Sequence, residues 1–140
     1  MKRKLSTLIS SAVAILTILV LFAFALPQDQ KIGGAWAIPA KYKTMKNTVK
    51  SDPASLNTGK MLYAKHCKSC HGATGLGDGP KAASLKTKIN SLKDAKFQAQ
   101  SDGNIYFQSF VGRDEMPNFE KKIPDLEDRW AIVNFTRSLK

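Results

Sequence analysis

The densest chemistry in the chain is the run Cys67-Lys68-Ser69-Cys70-His71, which holds both cysteines and one of the two histidines. The pattern C-x-x-C-H is the signature of covalent haem c attachment. On one helical turn, positions i, i+3 and i+4 share a face, so two thiols and an imidazole converge on one planar group. Cys67 and Cys70 can then add across the two vinyl groups of a haem while His71 reaches its iron. A thioredoxin-like dithiol would instead follow a buried strand and open a helix, whereas the residues before Cys67 already have helical periodicity. A zinc site made of His66, Cys67, Cys70 and His71 would take four ligands from six consecutive residues. Such a cluster cannot surround an ion tetrahedrally without a second ligand pair from elsewhere, and there is none.

The opposite axial position follows by elimination. His66 and Met61 are tied to the same helix as His71 and cannot reach the far side of the ring. Met45 lies in a linker and Met1 at the N-terminus. Met116 remains, 45 residues after His71. It sits in the polar stretch Gly112-Arg113-Asp114-Glu115-Met116-Pro117-Asn118, an unusual setting for a methionine that merely fills a core, and its thioether suits haem iron.

Three helices must position these residues. Asp52-Pro53 predicts a helix start, with a carboxylate cap followed by proline at the first helical position; Leu56, Gly59, Tyr63 and Cys67 then fall on one face. A second helix is predicted from Ser101 or Asp102 through Ile105, Tyr106, Phe107, Phe110 and Val111, ending at Gly112. A third begins at Asp125, with Asp128 placed as in a capping box, and runs to Leu139. Leu126, Trp130 and Val133 form one apolar arc and Ile132, Phe135 and Leu139 another, which predicts cover on both sides. The tract Gly72 to Gln100 lacks sustained periodicity. So long a loop in a small domain makes sense if it wraps a prosthetic group. With no strand pair visible, the domain reads as all-α.

Ahead of the domain, Leu5 to Leu26 is a run of 22 uncharged residues preceded by Met1-Lys2-Arg3-Lys4. As a helix it would match the ~30 Å hydrocarbon core of a bilayer, and the basic cluster would stay inside, so that everything after Leu26 is exported. Residues 1–26 are therefore expected to be a membrane anchor, the alternative being a signal peptide cleaved near Ala25, after Ala23-Phe24-Ala25. Residues 27–50 read as a solvated linker, except that Trp36-Ala37-Ile38-Pro39 should rest on the domain or on the membrane interface. Residues 51–140 are the globular domain.

The chain has 22 basic and 11 acidic residues, but residues 51–140 carry 14 against 10, a net charge of only +4. That modest excess argues against a nucleic-acid partner. Within the domain, residues 60–96 hold eight lysines and two acids, while residues 98–140 hold six bases and seven acids.

These residues resemble a class I c-type cytochrome over about residues 51 to 140. The likeness rests on Gly59-Lys60-Met61-Leu62-Tyr63, Cys67-Lys68-Ser69-Cys70-His71-Gly72, Gly75-Leu76-Gly77-Asp78-Gly79-Pro80, Met116-Pro117-Asn118-Phe119, and Trp130 to Leu139. Trp36 to Pro39 also resembles a lead-in found before such domains. The resemblance implies helices wrapped around one covalently bound haem c. It implies first and last helices crossing at Gly59, where Tyr63 and Trp130 pack closely, and a Pro80 carbonyl that accepts a hydrogen bond from the His71 ring.

The expected function is single-electron transfer between respiratory-chain partners, with the domain in the periplasm of a bacterium. Filled His/Met ligation leaves no open position for oxygen or peroxide. A haem enzyme would need an open distal position with an acid or base beside it, and His66 lies on the wrong side. A subunit held permanently in a larger respiratory complex has the same chemistry as a free carrier. The partners expected are a redox donor and acceptor, one with an acidic docking surface, and the membrane.

Overall fold

A computed structural model describes residues 31–140 of the chain. The expected anchor, residues 1–26 with the site near Ala25, lies outside the described residues. Among the described residues no helix is long and apolar enough to cross a membrane.

The elements are β1 (Lys31–Ile32), α1 (Ala40–Lys43), α2 (Pro53–His66), α3 (Lys68–His71), a 3-10 turn (Ala82–Ser84), β2 (Thr87–Lys88), α4 (Ala95–Gln98), α5 (Asp102–Tyr106), which runs on as a π-helical turn (Phe107–Val111), and α6 (Leu126–Ser138). The chain is thus mostly helical, as expected. The exception is the short parallel pair of β1 with β2, Lys31 opposite Thr87 and Ile32 opposite Lys88, which no periodicity announced.

α2 begins where its cap predicts. The Asp52 carboxylate accepts the Ser55 N–H at 2.9 Å, and the Ser55 hydroxyl oxygen accepts the Asp52 N–H at 3.3 Å, so two otherwise unpaired donors are satisfied reciprocally. α5 is capped by the Ser101 hydroxyl, which accepts the Asn104 N–H at 3.2 Å. α6 starts differently from expectation. The Asp125 carboxylate accepts the Glu127 N–H at 2.7 Å, and Asp128 does not close a box.

α2 and α6 make the largest contact between elements. Ile105, Tyr106, Phe110, Ile123, Trp130, Ile132 and Val133 form the core, with Ile105 and Val133 fully buried. α6 is indeed enclosed on more than one side, since Trp130 through Asn134 and Thr136 are all buried. Leu126 departs from the predicted arc: it is 43% exposed, because the first turn of α6 projects past the core.

Within the expected linker, the lysines from Lys41 to Lys50 are exposed, while single side chains from Trp36 onwards touch the domain. Tyr42 stacks on Tyr106 and tilts onto Phe107, with ring centroids 6.2 and 4.8 Å apart. A β-carbon on Gly103 would stand 1.9 Å from the Tyr42 carbonyl oxygen, so α1 sits directly on α5. Further along, the Asn47 amide donates to the Asn134 side-chain oxygen at 2.8 Å. Trp36 rests on the domain too, meeting Phe107 edge-on at 6.2 Å.

Candidate haem-attachment site

α2 delivers Cys67 and α3 delivers Cys70 and His71. The helix breaks for one residue at Cys67 (φ −115°, ψ −36°) and resumes at once, so that the His71 N–H donates to the Cys67 carbonyl at 3.0 Å. The three side chains therefore belong to one turn, as the motif requires. At Gly72 the chain turns out of the helix with φ +81°, a conformation open to glycine; a β-carbon there would collide with the Asp78 carboxylate at 1.8 Å.

The glycine-rich loop then folds back on the same turn. The N–H groups of Gly77, Gly79 and Lys81 donate to the carbonyls of His71, Cys70 and Ser69 at 2.9, 3.1 and 2.9 Å. Gly79 passes so close that a β-carbon would lie 2.5 Å from the Ser69 oxygen. The buried Tyr63 hydroxyl donates to the Gly72 carbonyl at 2.8 Å. Every carbonyl from Ser69 to Gly72 is thereby occupied, which fixes the backbone beneath the motif.

Both cysteines are free thiols. Burial, reinforced by the neighbouring Cys70, pushes the Cys67 thiol up to about 12. It stays protonated at neutral pH, unlike the activated thiolate of a disulfide oxidoreductase. Burial lowers the His71 pKa, so its imidazole is neutral and has a lone pair to give to a metal. Its Nδ1 is buried with no hydrogen-bond partner. Two unpaired thiols and a neutral imidazole on one turn fit a covalently held haem. The His71 to Pro80 hydrogen bond implied by resemblance is not formed. The Pro80 carbonyl shares a planar peptide unit with the Lys81 N–H, and that N–H is held on the Ser69 carbonyl at 2.9 Å, which sets the direction of the Pro80 carbonyl and leaves His71 Nδ1 without a partner.

Met116 is half-buried and sits in a closed turn, where Arg113 and Met116 exchange two backbone hydrogen bonds of 2.8 Å. The structure joins this segment to the end of α2 through the Phe119 and His66 rings, 6.1 Å apart and edge to face. The Glu115 carboxylate is engaged by the N–H groups of Lys86 and Thr87 at 2.9 and 2.8 Å. Those backbone donors keep its pKa below the usual carboxylate range. No local pattern signalled that pairing, because the partners lie 28 and 29 residues away. All eight lysines between 60 and 96 are exposed.

A helix that leads into a C-x-x-C-H turn backed by a glycine loop, with the first and last helices packed together, defines a class I c-type cytochrome domain. The chain belongs to the family described as cytochrome c oxidase, cbb3-type, subunit III, which matches residues 54–135. Its cofactor is covalently bound haem c, and the domain supports electron transfer. Among solved structures it is similar to a chain of the reducing HAO-like protein complex of Kuenenia stuttgartiensis, at 27% identity and a TM-score of 0.57. That likeness covers 65% of this chain and 46% of the other, so the chain spans less than half the length of that relative. No curated protein matches the chain.

Proposed function

We propose that this protein is a monohaem electron carrier in which Cys67 and Cys70 form the thioethers and His71 and Met116 are the axial ligands. The observation that carries this reading is the single turn holding two free thiols and a neutral imidazole, pinned from below by the loop. When bound, the haem supplies an iron that gains or loses one electron. The chain's own part is to hold it: Cys67 and Cys70 through the porphyrin edge, His71 from one face and Met116 from the other. Filling both faces favours electron transfer over chemistry at the metal.

In the same reading, residues 1–26 anchor the protein in the membrane, residues 51–140 carry the haem in the periplasm, and the exposed lysines of the attachment half steer it to an acidic redox partner. The family's description as an oxidase subunit, and the membership of the solved relative in a complex, favour a second reading in which the chain is a permanent subunit. Copurification from membranes separates the two.

Acidified acetone tests attachment, since it should extract no colour from the purified protein. Met116→Ala should leave the haem attached yet abolish the sulfur-to-iron charge-transfer band of the oxidised form; survival of the band would remove Met116 as ligand. An intact Met1 on the mature chain supports the anchor, whereas a chain starting at Leu26 means cleavage. Oxidation by the native acceptor should slow as salt rises towards physiological strength, where charges are screened beyond ~8 Å. A rate indifferent to salt would remove the acidic partner.

A further inference from the structure

The turn that carries Met116 is gripped from two directions. Before it, Gly112 (φ +71°) leaves no room for a side chain, as a β-carbon would lie 2.2 Å from the Met116 carbonyl oxygen. Within it, Asp114 takes the left-handed conformation at φ 46°. Arg113 reaches out to the N-terminal lead-in. Its guanidinium donates to the carbonyl oxygens of Gly34 and Ala35, the latter at 2.7 Å, and stacks 4.1 Å over the Trp36 ring. On the other side the Glu115 carboxylate holds the N–H groups of Lys86 and Thr87.

These contacts close a circuit. Thr87 belongs to β2, β2 pairs with β1, and β1 leads directly into Gly34, Ala35 and Trp36. A β-carbon on Gly33 would touch Thr87 Cγ2 at 3.1 Å, so the lead-in is seated closely. A planar guanidinium with several fixed donors can take two successive carbonyls and an aromatic face at once, which an ammonium cannot.

The geometry points to a positioning role for the 31–36 strap: acting through Arg113 and Trp36, it restrains the Met116 turn and so keeps the Met116 thioether from exchanging with other ligands. The inference rests on the reading of Met116 as the axial ligand. It makes the hold of that ligand depend on the segment that joins residues 1–30 to the domain. Arg113 and Trp36 touch no reacting atom and act only through the turn.

The test uses the full-length, haem-loaded protein, oxidised and titrated with imidazole while the charge-transfer band is followed. Arg113→Gln and Trp36→Ala should keep the band without imidazole but lose it at about tenfold lower imidazole than wild type, a factor worth ~1.4 kcal/mol. Trp36→Phe, which retains an aromatic face, should stay near wild type. If Arg113→Gln fails to mature, Trp36→Ala carries the same test. A lowered unfolding midpoint with unchanged imidazole affinity would overturn the strap and leave only a structural contact. Met116→Ala separates the two failures: loss of its band with wild-type affinity in the strap variants removes the strap alone, whereas persistence of its band removes the ligand reading on which the strap depends.

Discussion

Gly59 on α2 lies directly against the backbone of Ala131 on α6. A β-carbon at Gly59 would stand 2.0 Å from the Ala131 carbonyl oxygen and 2.9 Å from Phe135 Cβ. The two helices cross at contact distance only because the side chain is missing. The aromatic partner beside the crossing is Phe135, whose ring centroid is 5.1 Å from that of Tyr63; Trp130 packs on Tyr106 instead, at 4.7 Å. Tyr63 and Trp130 are thus not the pair that the resemblance implied, because α6 turns Phe135 rather than Trp130 towards α2.

Gly59→Ala should force the helices apart. The obstacle is backbone, which cannot rotate away, so the loss should reach at least the ~1–3 kcal/mol typical of overpacking. Urea unfolding of the haem-loaded protein measures it, and a midpoint equal to wild type would refute the close approach.

Asn134 ties the segment before α2 into the core. Its amide donates to the Val49 and Lys50 carbonyls at 3.1 and 3.3 Å, and its oxygen accepts from Asn47 at 2.8 Å, in a residue only 5% exposed. Asn134→Leu should cost about 1–3 kcal/mol, since it leaves those partners without theirs. Asn47→Ala should cost less. A double-mutant cycle should show coupling between the two positions, and strict additivity would count against the link.

Tyr63→Phe removes the hydroxyl that holds the Gly72 carbonyl next to His71. Stability should fall by roughly 0.5–1.5 kcal/mol, with the haem still attached. Burial, chiefly, raises the pKa of this phenol well above its ordinary value. The bond should therefore survive into strongly alkaline solution, and pH titration of the tyrosine absorbance should show one residue that ionises late.

His66 gives a pH dependence of known sign. Burial above all, then the charges of Lys65 and Lys122, lowers its pKa in the folded protein. Below the ordinary histidine value of about 6.5 the unfolded chain binds this proton more readily than the native one. Stability should accordingly fall as the pH drops below that value. His66→Gln should flatten the slope over the same window, and equal slopes in the two proteins would exclude His66 as its source.

Local sequence determined the parts of this protein whose causes are local. Asp52-Pro53 set the start of α2 because cap and helix are neighbours in the chain, and C-x-x-C-H put two thiols and an imidazole on one turn because helical spacing alone does so. Gly112 likewise ended the helix that Ser101 opened, although the last turn widened to a π-helix. Tertiary structure decided what depended on partners far along the chain. The stretch from Gly33 to Lys50 keeps its lysines exposed, as its composition suggests, yet it is tied to the domain because Asn47 meets Asn134 across 87 positions and Arg113 reaches Ala35 across 78. Leu126 sits on an apolar arc of α6 but stays in water, since periodicity tells which residues share a face and not whether another element covers it. Burial and long-range hydrogen bonding are properties of the packed chain: beside Met116, Arg113 takes its partner from Ala35, 78 residues away, and Glu115 takes its partners from Lys86 and Thr87, 29 and 28 residues away.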